Sequence, residues 1–239
     1  ANFVWSKNKS KFLKKGISII VSSPESIARC LDKLEFSEFG KANKLSFISS
    51  STNIDHIDAC AYVVKERYGA GSESIGINLN SKEAIAHSKK LKNPIFQPFV
   101  AGIEISIDAW LTANGSLRGL VLRKRDLVEN GESQITTTFS NANIAKQATA
   151  CLEALNLSGP VVMQAIITKN NQLMVIECNS RFGGASTTSI AAGLDVFYWS
   201  FQEALGVYKQ NESFNRVYTE IKQIRVPSDT YEIIHDTDL

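Results

Sequence analysis

The chain has 239 residues, 44% of them apolar and 21% charged, with a formal net charge of +2. That is enough ordinary globular sequence to bury a core without staples. It excludes a disordered tail, a fibrous repeat and a strongly basic nucleic-acid binder.

Residues 1–15 carry Lys7, Lys9, Lys11, Lys14 and Lys15 and read as a solvated helix face with no secretory leader. Ile17–Val21, rich in β-branched residues, reads as a strand. Ser23-Pro24-Glu25 then starts a helix that runs towards Lys33, with Ser23 as N-cap. Residues 40–58 are polar and carry no periodic signal. Ala61–Arg67 and Ser74–Leu79 read as strands around a loop at Gly69–Ser72, and Ser81 caps a helix to about Leu91. Ile95–Val100 is a strand with Pro98 inside it, hence an edge or a hinge.

Residues 103–112 and 117–125 form a hairpin joined at Asn114-Gly115. Asn143–Leu155 is an amphipathic helix with Ile144, Ala148, Cys151, Leu152 and Leu155 on one stripe. A second hairpin pairs Pro160–Thr168 with Leu173–Asn179, and the loop Arg181–Ala185 leads into a helix from about Thr187. Ile221–Val226 is a last strand. The order is α+β rather than a regular βαβ alternation. No apolar run reaches the ~18 residues of a membrane span. Cys30, Cys60, Cys151 and Cys178 contain no C-x-x-C pair, which fits free thiols in the cytoplasm, and His56, His87 and His235 are too scattered for a zinc site.

The hairpin at 160–181 carries the most chemistry. A two-residue turn at Asn170-Asn171 gives pairs whose numbers sum to 341, which sets Gln164 opposite Glu177. Asn179 shares the face of Glu177, while Cys178 points to the opposite, core face. Three oxygen donors without thiolate or imidazole suit Mg²⁺, with Mn²⁺ as an alternative. The competing reading is a structural polar cluster on a sheet face. A second signal is Lys65 on a strand that enters a loop with Gly69, Gly71 and Ser72. Its open backbone can cover phosphates, although a plain hairpin has the same pattern. The strand after this loop argues against a Walker or Rossmann site, which both need a helix there. Arg123 and Arg125 share a strand face, and Arg181 follows the metal candidates. Together they fit stabilisation of a transferring phosphoryl group.

Val161–Asp195, with Val-Val-Met-Gln, Val-Ile-Glu-Cys-Asn-Ser-Arg-Phe-Gly-Gly and Ala-Gly-Leu-Asp, resembles the ATP-grasp superfamily. The likeness is to ligase domains such as those of the carbamoyl-phosphate synthetase large subunit. It extends over residues 17–205. The resemblance implies an ATP-grasp fold in which two α+β subdomains grip ATP. It implies Gln164, Glu177 and Asn179 as magnesium ligands and Arg181 near the transferred phosphate. Lys33 would be the first ATP lysine and Lys65 the second, with Gln97, Phe99 and Val100 holding adenine and Glu104 the ribose. Arg123 and Arg125 match an R-x-R that faces phosphates or the acyl substrate. The implied division is 1–24, a remnant of a preceding α/β domain; 25–100, the small subdomain with the flap; and 101–239, the subdomain with the metal site.

The expected activity is an ATP-dependent ligase that joins a small carboxylate to an amine or ammonia through an acyl phosphate. A partner chain or homo-oligomer would supply the missing layer, without nucleic acid or membrane. The alternative is a nucleotide-binding module without chemistry of its own, or one half of a split enzyme. A protein kinase fits only the flap and its lysine, since no H-R-D or D-F-G pattern occurs.

Overall fold

The computed structural model describes residues 2–69, 74–207, 214–216 and 220–226. Two short helices, α1 (Asn2–Lys7) and α2 (Lys9–Leu13), lead through an extended segment to α3 (Pro24–Leu31) and α4 (Lys33–Ala42). A three-stranded antiparallel sheet follows, built from β1 (Tyr62–Glu66), β2 (Gly76–Leu79) and β3 (Pro94–Pro98) in the order β2-β1-β3, with α5 (Ser81–Ser88) against it. The larger sheet has the order β8-β7-β4-β5-β6-β9. Its strands are β4 (Ile103–Leu111), β5 (Leu117–Glu129), β6 (Glu132–Phe139), β7 (Gly159–Ile167), β8 (Leu173–Asn179) and β9 (Lys222–Ile224). Helix α6 (Ala142–Ala154) lies between β6 and β7, and α7 (Ser186–Ala191) and α8 (Val196–Leu205) follow β8.

The large sheet is covered on both faces. Ile105, Ile107, Ala109 and Leu111 point one way, into a core with Ile144, Ala148, Cys151 and Leu152 of α6. Trp110 and Val121 point the other way, against Leu194, Val196 and Trp199. Double burial keeps β4 buried without a break from Ile105 to Leu111, although its sequence alternates apolar and polar residues as far as Asp108.

Residues 40–58, silent in the sequence, tie the two sheets together. The amide of Ile48 donates to Val175 on the outer edge of β8, and Ser51 exchanges backbone bonds with Phe96 of β3. Phe47 stacks on Phe36 with ring centroids 4.3 Å apart. That stack requires glycine at position 40, where a Cβ would lie 2.4 Å from the Phe47 ring.

Several local expectations hold. Ser23 Oγ accepts from the Ser26 amide at 3.1 Å. Strand β3, with Pro98 at its end, is an edge strand of the small sheet. Strand β9 covers three residues of the expected final strand.

Others need correction. Ile17–Val21 is not a strand: it is extended without a pairing neighbour, and Val21 and Ile20 pack instead on core side chains. The helix after the flap is capped by Asn80, in a reciprocal box with Glu83, and stops at Ser88. The turn after β7 is also different. Ala165 pairs with Val175 and Ile167 with Leu173, one short of the expected sum, and Asn171 sits at φ 56° in a three-residue loop. A bulge at Ile176 then restores the expected pairing of Gln164 with Glu177.

Candidate functional site

The bulge in β8 determines which residues face the site. Leu173 and Val175 point into the core, and without the extra residue Glu177 would follow them. With it, Cys178 enters the core at 1% exposure, while Glu177 and Asn179 turn to the opposite face. There a polar row runs straight across five strands: Glu177 opposite Gln164, Gln164 opposite Ser106, Ser106 opposite Arg123, Arg123 opposite Thr138. Directly opposed side chains lie about 5 Å apart, so the row forms one continuous polar surface.

The oxygen-donor set is mutually accessible. Asn179 Nδ2 donates to Glu177 Oε1 at 2.9 Å, which leaves the Asn179 carbonyl oxygen unpaired within this contact. Gln164 makes no side-chain hydrogen bond among the described residues, although it lies across from a carboxylate. A carboxylate and two amide oxygens on one face, one of them unpartnered, fit a hard cation such as Mg²⁺. Among the described residues no cluster of three His, Cys, Asp or Glu side chains offers a competing metal site.

Two lysines approach Glu177 from the small sheet and α4. Lys65 is only 5% exposed. Burial pushes its pKa down to about 8, against the pull of Glu177 and Glu104 and with the repulsion of Lys33. Burial also lowers the pKa of Lys33, again opposed by Glu177. Lys33 Nζ donates to the carbonyl of Gly69 at 2.9 Å, at the start of the flap loop. Gly71 and Ser72 lie outside the described residues.

Lys33 is held by its neighbour. Asp32 breaks the helix between α3 and α4 and caps α4 through the amides of Leu34 and Glu35. The Arg67 fork closes on the same carboxylate, Nε to Oδ1 at 2.7 Å and Nη2 to Oδ2 at 2.5 Å. Burial pushes the Asp32 carboxyl up, but Arg67, the two amides and Tyr68 outweigh it and bring its pKa from 3.8 to about 2. A depressed folded-state value means that the stabilisation is present above about pH 4 and disappears as pH falls towards 2. Asp32→Asn is therefore expected to lower stability at neutral pH and to flatten the decline of stability between pH 4 and pH 2. Urea unfolding across that range checks this.

The arginines divide into distinct environments. Arg123 is 2% exposed and its Nε and Nη2 both donate to Asp108, with Nε at 2.5 Å, while Nη1 donates to Thr136 at 3.1 Å. Asp108 also accepts from Ser186 at 2.7 Å and from Ser189, so it fastens the start of α7 beneath the loop 181–185. Sequence reasoning missed Asp108, whose three partners, Arg123, Ser186 and Ser189, lie 15, 78 and 81 residues away along the chain. Arg125 pairs with Glu104 at 3.1 Å and donates to the Gly131 carbonyl at 2.8 Å. Arg181 is exposed, and among the described residues its side chain donates only to the adjacent Phe182 carbonyl. Arg123, Arg125, Gln164, Asn179 and Arg181 line one cavity of about 100 Å³, joined by Arg225, which the sequence did not single out.

The nucleotide-hinge candidates lie between the two sheets. Gln97 is 3% exposed and its amide donates to Ser50 Oγ at 2.7 Å. The backbone amide of Phe99 donates to Ala61, and Val100 follows it in the connection to β4. Glu104, at the start of β4, is 47% exposed and bound to Arg125. No described helix is long and apolar enough to cross a membrane.

Comparison with solved structures finds the same fold. The chain resembles the biotin carboxylase domain of Hydrogenobacter thermophilus 2-oxoglutarate carboxylase, with TM-score 0.69 and 15% identity over 87% of this chain and 52% of that one. It resembles an L-amino acid ligase from Bacillus licheniformis, with TM-score 0.68 and 15% identity over 93% and 59%. N5-carboxyaminoimidazole synthase from Aspergillus clavatus gives TM-score 0.68 and 12% identity over 88% and 60%. The chain thus spans little more than half the length of these structures. Comparison with curated proteins gives no match. Residues 90–227 match the family described as "ATP-grasp in the biosynthetic pathway with Ter operon", and with this α+β fold the chain belongs to the ATP-grasp superfamily.

Proposed function

We propose that the chain carries the nucleotide and metal site of an ATP-dependent carboxylate–amine or carboxylate–ammonia ligase. The reaction passes through an acyl phosphate and releases ADP, in the manner of the carbamoyl-phosphate synthetase large subunit that the sequence resembles. The observation that supports this reading best is the convergence of Lys33 and Lys65 on Glu177, in the polar row shared with Gln164. The structural neighbours add to it. Their names include ligases, and the H. thermophilus structure was determined with MgADP and bicarbonate.

In this account residues 25–100 and 101–239 are the two subdomains that close on ATP. Gln97, Phe99 and Val100 hold adenine, and Glu104 receives the ribose hydroxyls. Lys33 and Lys65 bind the phosphates beneath a flap that contains Gly69, Gly71 and Ser72. Gln164, Glu177 and Asn179 hold Mg²⁺ or Mn²⁺. When bound, the ion neutralises charge on the β- and γ-phosphates. Arg181 and Arg125 face the phosphoryl group in transfer and the carboxylate that receives it. Arg123, closed on Asp108, is a positioning residue for α7 and the arginine loop. No protein nucleophile is needed, since alignment and fixed charge supply the acceleration. Free thiols and the need for ATP support a cytoplasmic location, and a partner chain or second copy would complete the substrate layer.

Hydroxylamine tests the acyl phosphate directly. With MgATP and the right carboxylate, an acyl-phosphate intermediate yields a hydroxamate in step with ADP. ADP release without any hydroxamate, across carboxylates that stimulate it, contradicts this mechanism.

A further inference from the structure

The cavity lining holds a charged pair that nucleotide and metal binding leave without a task. Strands β5 and β6 are joined by Asn130-Gly131, at φ 51° and 78°, a tight turn that sets Glu132 at the cavity rim. Just beyond β9, Arg225 meets Glu132 at 3.0 Å, and the two side chains are 36% and 64% exposed. An ion pair this exposed contributes little to stability, so each partner can exchange the other for a ligand group. Gly184 lies directly against the pair: a Cβ there would sit 3.5 Å from Arg225 Nη1 and 3.9 Å from Glu132 Oε2. Without that Cβ, the space beside both charges stays open.

The arginines of the same lining ask for an anion. Arg125 is 95% buried, and its Nε has no hydrogen-bond partner. An unsatisfied buried donor is costly, and a ligand oxygen would satisfy it. Charge matching among the described residues sets the ligand's charge. Arg123 is balanced by Asp108, Arg125 by Glu104 and Arg225 by Glu132, while Arg181 has no carboxylate partner. The lining therefore calls for one net negative charge. It offers one cation and one anion side by side, with Arg125 and Arg181 in the same lining. At about 100 Å³ the space is well below the roughly 300 Å³ at which pockets for drug-sized ligands begin.

From these features we propose that the carboxylate substrate is an acidic α-amino acid. Its ammonium sits on Glu132, its α-carboxylate on Arg225, and its second carboxylate beside Arg181 and Arg125. This assignment rests on the ligase reading. An oxygen of the second carboxylate attacks the γ-phosphorus, the bond from that phosphorus to the bridging oxygen breaks, and ADP leaves with the electron pair.

The test is a calorimetric titration of the full chain loaded with Mg²⁺ and a non-hydrolysable ATP analogue. The ligands are L-aspartate, L-glutamate, succinate, glutarate and L-alanine. At least one acidic amino acid is expected to bind about tenfold more tightly than its matched diacid and than alanine. Glu132→Gln, with its fold checked by thermal unfolding, is expected to bring that amino acid down to the level of its diacid. Equal binding of diacid and amino acid, equal binding of alanine, or no binding to the loaded protein overturns the assignment and leaves the ligase reading standing. Failure of the ATP analogue to bind overturns the ligase reading, and the assignment with it.

Discussion

Asp108→Ala is expected to cost about 3–5 kcal/mol of folding stability, because it leaves Arg123 as a buried charge without a counter-ion. Both side chains are 2% exposed, so water cannot replace the lost carboxylate. Ser186 and Ser189 lose their acceptor in the same step, which loosens the start of α7. The paired change Asp108→Leu with Arg123→Met is expected to recover much of the loss, since an apolar pair of similar bulk removes the desolvation problem altogether. Denaturant unfolding of the single and double variants measures this. A single variant within about 1 kcal/mol of the parent contradicts the role given to the pair.

Lys65→Met is expected to move binding and stability in opposite directions. Burial disfavours the charge of Lys65, so an apolar side chain of similar length is expected to keep or raise stability. The same change removes a desolvated cation from the phosphate site, and ATP affinity is expected to fall about a hundredfold. A residue kept for packing alone would not separate the two readouts. The pH dependence gives the same result by another route. Lys65 is charged below its pKa of about 8 and loses its proton above it, so ATP binding by the parent is expected to weaken as pH rises from 7 to 9. Lys65→Arg, which stays charged throughout, is expected to bind with little change over that interval. Unchanged affinity in Lys65→Met overturns the assignment.

Much of the oxygen-donor face was legible in the sequence, partly through a compensating error. The pairing of Gln164 with Glu177 followed from a two-residue turn that does not exist, and the bulge at Ile176 restores the register that the longer loop displaces. A bulge leaves no mark in a short apolar strand such as Leu-Met-Val-Ile, so it could not have been read locally. The turn at Asn130-Gly131 could have been. It carries the same dipeptide signal as Asn114-Gly115, and its register places Thr136 opposite Arg125 and Thr138 opposite Arg123. The charged stretch Arg123–Glu132 hid it, because exposed strand ends lack apolar alternation. Ile17–Val21 failed in the other direction. β-branched residues favour extended backbone, but a strand needs a neighbour to pair with, and neighbours are not a local property. Arg225 and Asp108 were beyond local reading for the same reason, since Glu132 lies 93 residues from Arg225 and Ser189 lies 81 residues from Asp108 along the chain.

The oxygen donors on β7 and β8 are expected to couple a divalent cation to ATP held by Lys33 and Lys65. Calorimetric titration of the chain with ATP, with and without Mg²⁺, tests it most directly when run beside Glu177→Ala. Binding that Mg²⁺ strengthens is expected in the parent, with a loss of that strengthening in Glu177→Ala. Equal Mg²⁺ dependence in a folded Glu177→Ala protein, or no ATP binding by the folded parent, contradicts it.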